Sequence, residues 1–197
     1  DTDSIPILPS GLFKELRNAL PKDSIVTLDA GTMCLQLTDA LHYHQPKSLF
    51  SPLDFGLVGF SYPAGLGLKL AAPERPVVSF HGDGGMSMVI PELSTAIENN
   101  INTVVCVMNN GTWGAEAAYQ KDFFEGRFIG AHITTPEFDK VAELYGCRGI
   151  KVEKDGEIGE AIQAGIEAEC PTVIDVQCSP DALYSFRQDS FKHKVKQ

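Results

Sequence analysis

The chain has 197 residues, 43% of them hydrophobic and 21% charged, with a formal net charge of -10 and a pI near 4.9. That is enough apolar material for one sizeable core, so one main domain is expected. A surface this acidic argues against a nucleic-acid or anionic-membrane partner, and no stretch approaches the roughly 20 apolar residues of a membrane-spanning helix.

Residues 1–10 are polar and carry Pro6 and Pro9, which reads as a lead-in or the end of a linker. The start, Asp1-Thr2-Asp3, has neither the basic segment of a signal peptide nor an initiator methionine, so excision from a longer polypeptide or trimming is expected. Ser10 is placed to cap a helix whose apolar face is Leu12, Phe13, Leu16 and Leu20, and Pro21 closes it. Ile25-Val26-Thr27-Leu28 reads as the first core strand, ending in the turn Asp29-Ala30-Gly31-Thr32. His42 and His44 have no acidic or cysteine neighbour, so they read as loop histidines rather than a metal pair. Phe55 to Phe60 precedes a helix, Ala64 to Leu70, in which Gly65 and Gly67 each cost about 1 kcal/mol relative to alanine. Close packing beneath a ligand is the expected reason.

The stretch from Pro76 to Gln120 reads as strand, glycine turn, helix, strand and polar turn. The apolar run Val77, Val78, Phe80 breaks at Gly82-Asp83-Gly84-Gly85, where glycines let backbone approach a ligand. Pro91 suits the first turn of a helix carrying Leu93, Ala96 and Ile97 on one face. Val104, Val105 and Val107 form the next strand, which stops at Asn109-Asn110-Gly111. A right-handed strand–helix–strand unit ends both strands on one edge of a parallel sheet, which brings Asp83 and Asn110 together. A carboxylate and a carboxamide oxygen beside outward-facing amides suit a hard cation shared with a phosphate. His81, just before the glycines, reads either as a phosphate or substrate contact or as a hydrogen-bonded strand-end histidine.

Trp113, Glu116 and Gln120 follow on a loop or short helix over that edge, with the lone tryptophan placed to line the mouth of a site. Arg127 and Arg187 are either surface arginines or contacts for an anionic substrate, whose oxygens guanidinium matches bidentately. Phe138, Val141, Ala142 and Leu144-Tyr145 mark a helix closed by Gly146; Gly149 to Val152 is a strand, Ile158 to Ala168 a helix, and Thr172 to Val176 a buried last strand. This alternation predicts an α/β fold, a doubly wound parallel sheet with helices on both faces over residues 11–184. The polar tail, taken as 185–197, is expected to order only against a partner. The five cysteines, Cys34, Cys106, Cys147, Cys170 and Cys178, are odd in number and form no CxxC pair, as expected of reduced thiols in a cytoplasmic protein.

Gly82-Asp83-Gly84, twenty-four residues, then Asn109-Asn110 resembles the metal and diphosphate motif of thiamine-diphosphate-dependent enzymes, and the resemblance spans nearly the whole chain. Within that family the chain is most similar to the sulfoacetaldehyde acetyltransferases, on Pro46-Lys47-Ser48-Leu49-Phe50-Ser51-Pro52, Phe55-Gly56 with Gly59-Phe60, Trp113-Gly114-Ala115-Glu116 and Phe186-Arg187-Gln188-Asp189. Acetolactate synthases share the cofactor motif but not the WGAE stretch. The resemblance implies the thiamine-diphosphate-binding fold, in its diphosphate-binding, C-terminal domain. It implies a magnesium shell of Asp83, the Asn110 side chain and the Thr112 carbonyl, with two diphosphate oxygens and a water. It implies that Gly31, Thr32, Gly84 and Gly85 help hold the diphosphate, that the Gly56 carbonyl accepts the aminopyrimidine amino group, and that Val58 wedges between the two rings. Val58 departs from the larger methionine, leucine or isoleucine of many relatives.

The family activates its cofactor with a glutamate on a separate pyrimidine-binding domain, expected either upstream in the same polypeptide or on another subunit. The resemblance thus implies one half of an enzyme, with a site completed at an interface in a homo- or hetero-oligomer. The implied reaction is sulfoacetaldehyde plus phosphate giving acetyl phosphate and sulfite, with Trp113, Glu116, Gln120 and Arg187 as candidate substrate contacts. The alternatives are an acetolactate-synthase-like decarboxylase or carboligase acting on a 2-oxo acid, and a non-catalytic cofactor-binding regulatory module.

Overall fold

The computed structural model describes residues 5–52 and 54–183. Its centre is a six-stranded, all-parallel sheet built from β1 (Ile25–Leu28), β2 (Leu49–Phe50), β3 (Val77–Gly82), β4 (Val104–Asn109), β5 (Arg148–Val152) and β6 (Thr172–Gln177), in the order β2-β1-β3-β4-β6-β5. Because β1 has β2 on one side and β3 on the other, the winding reverses between β1 and β3. In open parallel sheets, ligands settle in the crevice outside the carboxyl ends of the strands at such a reversal.

Side chains alternate along each strand, so a sheet covered on both faces needs apolar residues at nearly every position. The strands here meet that demand. Val26, Leu28, Val78, Phe80, Cys106 and Ile174 pack on one face under α1 (Pro9–Ala19), α2 (Thr32–Ala40) and α8 (Ile158–Ile166). Val105, Val107 and Val173 pack on the other, under α3 (Ser61–Ala71), α4 (Asp83–Val89), α5 (Glu92–Glu98) and α7 (Phe138–Leu144). The predicted doubly wound α/β sheet is therefore the observed fold.

Several local expectations change. Helix α1 begins at Pro9, with Leu8 in the cap position and no side-chain cap, so Ser10 lies inside the helix and does not cap it. Proline has no N–H to leave unpaired and a preset φ, which suits the first helical position. Ile7, expected in the lead-in, is buried and bridges Cys178 beside β6. Leu144 points outward instead of joining the apolar face of α7. Gly65 is small because α3 lies directly on the sheet, where a Cβ would run into the Ser79 hydroxyl. Gly67 has open space around it, so it is packing on the sheet at Gly65 alone that calls for a glycine. His42 and His44 are exposed in the loop before β2, as expected, and among the described residues no group of three His, Cys, Asp or Glu is placed to hold a metal.

The largest local difference is at the glycine cluster. Gly82-Asp83-Gly84-Gly85 is not an open turn: β3 ends at Gly82 and α4 starts on the next residue, Asp83. Ile90 and Pro91 then separate α4 from α5. Among the described residues no helix is long and apolar enough to cross a membrane.

Candidate functional site

A cleft of ≈ 350 Å³ opens at the carboxyl ends of β1, β3 and β4. It collects residues from four separate stretches of sequence. Gly31 and Thr32 come from the β1–α2 turn, Gly56 and Val58 from the loop before α3, and Asp83, Gly84 and Gly85 from the first turn of α4. Asn110 and Thr112 come from the loop after β4, and Trp113 and Glu116 from the start of α6 (Gly114–Phe123). Each was singled out from the sequence.

Parallel pairing of His81 with Val107 and Gly82 with Met108 ends β3 and β4 side by side and sets Asp83 against the Asn110 loop. Asp83 is 1% exposed. Its Oδ1 accepts the Gly84 N–H at 2.9 Å, and its Oδ2 accepts those of Gly111 at 2.6 Å and Asn110 at 3.3 Å. Burial raises its pKa above the ordinary carboxylate value, because these amides offset only part of the lost hydration. Asn110 Oδ1 accepts both the N–H (3.1 Å) and the hydroxyl (2.8 Å) of Thr112. Trp113 N–H donates to the Ala131 carbonyl and Ile133 N–H to the Gly111 carbonyl, a bridge that leaves out the Thr112 carbonyl between them.

These residues fit a magnesium ion holding a diphosphate. Among the described residues Asp83 is a desolvated carboxylate met only by dipoles, with a carboxamide and a carbonyl that takes no backbone donor one and three residues along the facing loop. Gly31, at φ +133°, leads into α2 with no side-chain cap, so the first amides of that helix are open to an anion. No lysine, arginine or histidine is among the described residues that line the cleft, so a bound diphosphate would rely on amides and a cation.

Two contacts explain the glycines of α4. A Cβ on Gly84 would lie 2.6–2.8 Å from the Trp113 ring, and one on Gly85 would run into Asp29 Oδ2. The helix can begin there only with bare backbone. Trp113 thus packs over Gly84 at the cleft wall, while Glu116 stands exposed at the mouth.

Other expected contacts lie elsewhere. Gln120 does not line the cleft: its amide clasps Ile129, donating to the carbonyl (3.0 Å) and accepting the N–H (2.6 Å), which holds the loop after α6. Arg127 is exposed, with its Nε donating to the Phe124 carbonyl. Arg187 lies outside the described residues. His81 is fully buried and does not line the cleft; its Nε2 accepts the Tyr62 N–H at 2.7 Å, and Nδ1 is 3.1 Å from Asp29 Oδ2. Of its two readings, the hydrogen-bonded strand-end histidine is the observed one.

Asp29 itself was missed, although it lines the cleft. One signal existed: Asp29-Ala30-Gly31 and Asp83-Gly84-Gly85 repeat the same Asp-x-Gly pattern directly after a core strand.

Residues 29–176 match the family described as thiamine pyrophosphate enzyme, C-terminal TPP binding domain. The chain is 31% identical over 192 residues to a sulfoacetaldehyde acetyltransferase of Castellaniella defragrans, covering 95% of this chain and 32% of that protein. It is 32% identical over 191 residues to a probable acetolactate synthase large subunit of Methanococcus aeolicus, covering 94% of this chain and 32% of the other. A solved thiamine diphosphate-dependent 4-hydroxybenzoylformate decarboxylase of Rhodococcus jostii RHA1 superposes with a TM-score of 0.82 at 30% identity, over 91% of this chain and 34% of that one. The chain spans about a third of the length of the curated relatives it matches. It belongs to the thiamine pyrophosphate enzymes, as their C-terminal, cofactor-binding domain.

Proposed function

We propose that this domain binds thiamine diphosphate through magnesium and supplies the diphosphate half of an active site for sulfoacetaldehyde acetyltransfer. The observation that carries the metal reading is the convergence of Asp83 and the Asn110 loop, with Gly111 N–H 2.6 Å from Asp83 Oδ2, in a cleft without basic side chains among its described lining. Asp83 and Asn110 provide side-chain oxygens and Thr112 its carbonyl, in keeping with magnesium's demand for six oxygens. For Asn110 Oδ1 to reach the ion, the Thr112 hydroxyl would turn away while the Thr112 N–H stays on that oxygen.

The bound cofactor supplies an electron sink for carbanion chemistry. The chain's own residues place it. The α2 amides after Gly31 and Thr32, with Gly84 and Gly85, receive the diphosphate, while Gly56 offers a carbonyl to the aminopyrimidine and Val58 an apolar wedge between the rings. Trp113 and Glu116, at the cleft, are the candidate substrate contacts among the described residues, and Arg187 is a further candidate from the sequence alone. Gln120 acts at a distance by holding the loop that Ala131 ties to Trp113.

The activating glutamate belongs to a pyrimidine-binding domain or subunit, so catalysis requires that half, in a homo- or hetero-oligomer of the cytoplasm. Identities of 31% and 32% do not separate the acetyltransferase from the acetolactate synthase reading, and the WGAE stretch beside the cleft favours the former. Turnover of the assembled enzyme decides. Sulfite and acetyl phosphate from sulfoacetaldehyde and phosphate support the proposal, and carbon dioxide from pyruvate replaces it with a 2-oxo acid enzyme. Magnesium-dependent cofactor uptake without either turnover points to a regulatory module.

A further inference from the structure

Next to the cleft lies a polar cluster that the proposed chemistry leaves unused. Asp29 follows β1, and His81 is the penultimate residue of β3, the two strands between which the sheet reverses. The Tyr62 N–H donates to His81 Nε2, so in the neutral ring the proton sits on Nδ1, the nitrogen 3.1 Å from Asp29 Oδ2. The same carboxylate accepts the N–H groups of Gly59 (3.0 Å), Phe60 (2.8 Å) and Ser61 (3.3 Å). Between them, the two side chains take up the amides at the start of α3.

The cluster continues beneath. Ser61 Oγ is 2.9 Å from both the carbonyl and the hydroxyl of Thr27, and Thr27 Oγ1 donates to Ser79 Oγ at 2.7 Å. Two glycines make room for it, since a Cβ on Gly85 would run into Asp29 and one on Gly65 into Ser79. Upstream, the Phe55 and Gly56 N–H groups donate to the Pro52 carbonyl (3.1 and 2.6 Å), a turn that leaves residues 57 and 58 between it and the amides held by Asp29. Phe55 is 89% and Leu57 51% exposed, so apolar burial does not define the path of this loop.

We infer that Asp29 and His81 form a buried latch that fixes the path of residues 56–60, making them positioning residues for the ring end of the cofactor rather than ligands of its diphosphate. The inference rests on the cofactor reading above, in which Gly56 and Val58 meet the rings. Gly56 and Val58 are three residues and one residue from the latched Gly59 N–H, so the latch holds the downstream end of the segment whose upstream end is the Pro52 turn, and Val58 depends on it most directly.

Asp29→Asn tests this with no change of shape. Tyr62 keeps Nε2 as an acceptor, so Nδ1 stays a donor and needs an acceptor opposite it. An asparagine nitrogen there, or turned toward Phe60 and Ser61, sets donor against donor. Calorimetry on the complete enzyme would compare two probes in magnesium buffer, thiamine diphosphate and inorganic pyrophosphate. The expected result is a tenfold or greater loss of thiamine diphosphate affinity with pyrophosphate affinity within twofold of wild type. Should Asp29→Asn fail to fold, His81→Asn, which keeps a donor toward Asp29 and loses only the Tyr62 bond, is read in the same way with a smaller ratio. Equal losses for both probes, or full retention of thiamine diphosphate, would overturn the latch. Wild-type enzyme that bound neither probe would instead overturn the magnesium reading, and the role assigned to the latch with it.

Discussion

Two aspartates sit at equivalent places, Asp29 after β1 and Asp83 after β3, each buried and each in an Asp-x-Gly step at the carboxyl edge of the sheet. Burial pushes both carboxyls up, yet they end on opposite sides of the ordinary value. At Asp29 the His81 contact and the Gly59 and Phe60 amides outweigh burial, and its pKa is lowered. At Asp83, amides alone do not, and its pKa is raised. A carboxylate already served by the fold holds the fold. One left short of positive charge is ready for a cation, and this difference separates latch from proposed metal ligand more clearly than exposure does.

The sharpest way to break the comparison is Asp83→Ala. Loss of the proposed metal carboxylate should weaken magnesium-dependent thiamine diphosphate binding at least 100-fold by calorimetry, with the far-ultraviolet circular dichroism spectrum unchanged. Binding within a few-fold of wild type would leave Asp83 with no more than a structural role.

A third buried aspartate extends the series. Asp175 in β6 accepts the Asn109 amide (3.1 Å), the Gln177 amide (3.0 Å) and the Phe138 N–H (2.9 Å), and burial pushes its pKa up to about 6. The folded state therefore keeps a proton that the unfolded chain releases near pH 3.8. Stability falls as pH rises through that window and levels off above about 6, by about 3 kcal/mol in all. Asp175→Asn removes this titration, so its stability relative to wild type should climb across pH 4 to 6 and then stay flat in urea unfolding. A difference that does not vary with pH would show that Asp175 ionises normally in the fold.

Gly85→Ala presses on the latch from below. The new Cβ meets Asp29 Oδ2, a side-chain end pinned by the Gly59, Phe60 and Ser61 amides on its carboxylate, so a loss of about 1–3 kcal/mol is expected in the same urea experiment. Gly84→Ala meets the Trp113 ring instead, and fluorescence of the chain's single tryptophan should report its displacement.

How far the sequence could be read follows from which contacts are local. Val77 to Phe80, Val104 to Val107 and Thr172 to Val176 are apolar runs too short for helices, and parallel strands buried on both faces must look like that. β2, only Leu49 and Phe50, carries no periodicity to detect. Gly82-Asp83-Gly84-Gly85 misleads because glycine composition signals a turn, whereas these glycines serve a helix pressed between Trp113 and Asp29. The Asp83 and Asn110 convergence was legible because one crossover of ordinary length joins them. For Asp29 the Asp-x-Gly repeat marks the position but not the role, since its partners Gly59, Phe60 and His81 stand 30 to 52 positions away. The Gln120 contact was not legible for a similar reason: its partner Ile129 lies on a loop whose path the sequence does not specify.

The smallest expected effect lies on the helix that the latch holds. Gly65 and Gly67 are both interior to α3, but Gly65 touches Ser79 while Gly67 faces open space. Alanine at Gly65 must push the helix off the sheet and disturb the hydroxyls beneath Asp29. Alanine at Gly67 meets nothing and restricts the unfolded chain, so Gly67→Ala should gain about 0.5–1 kcal/mol. A raised urea midpoint with an unchanged slope would confirm that only one of these glycines is needed for packing. A loss at Gly67 would mean that another surface closes on this side of α3 in the assembled protein, and the loss should then depend on protein concentration.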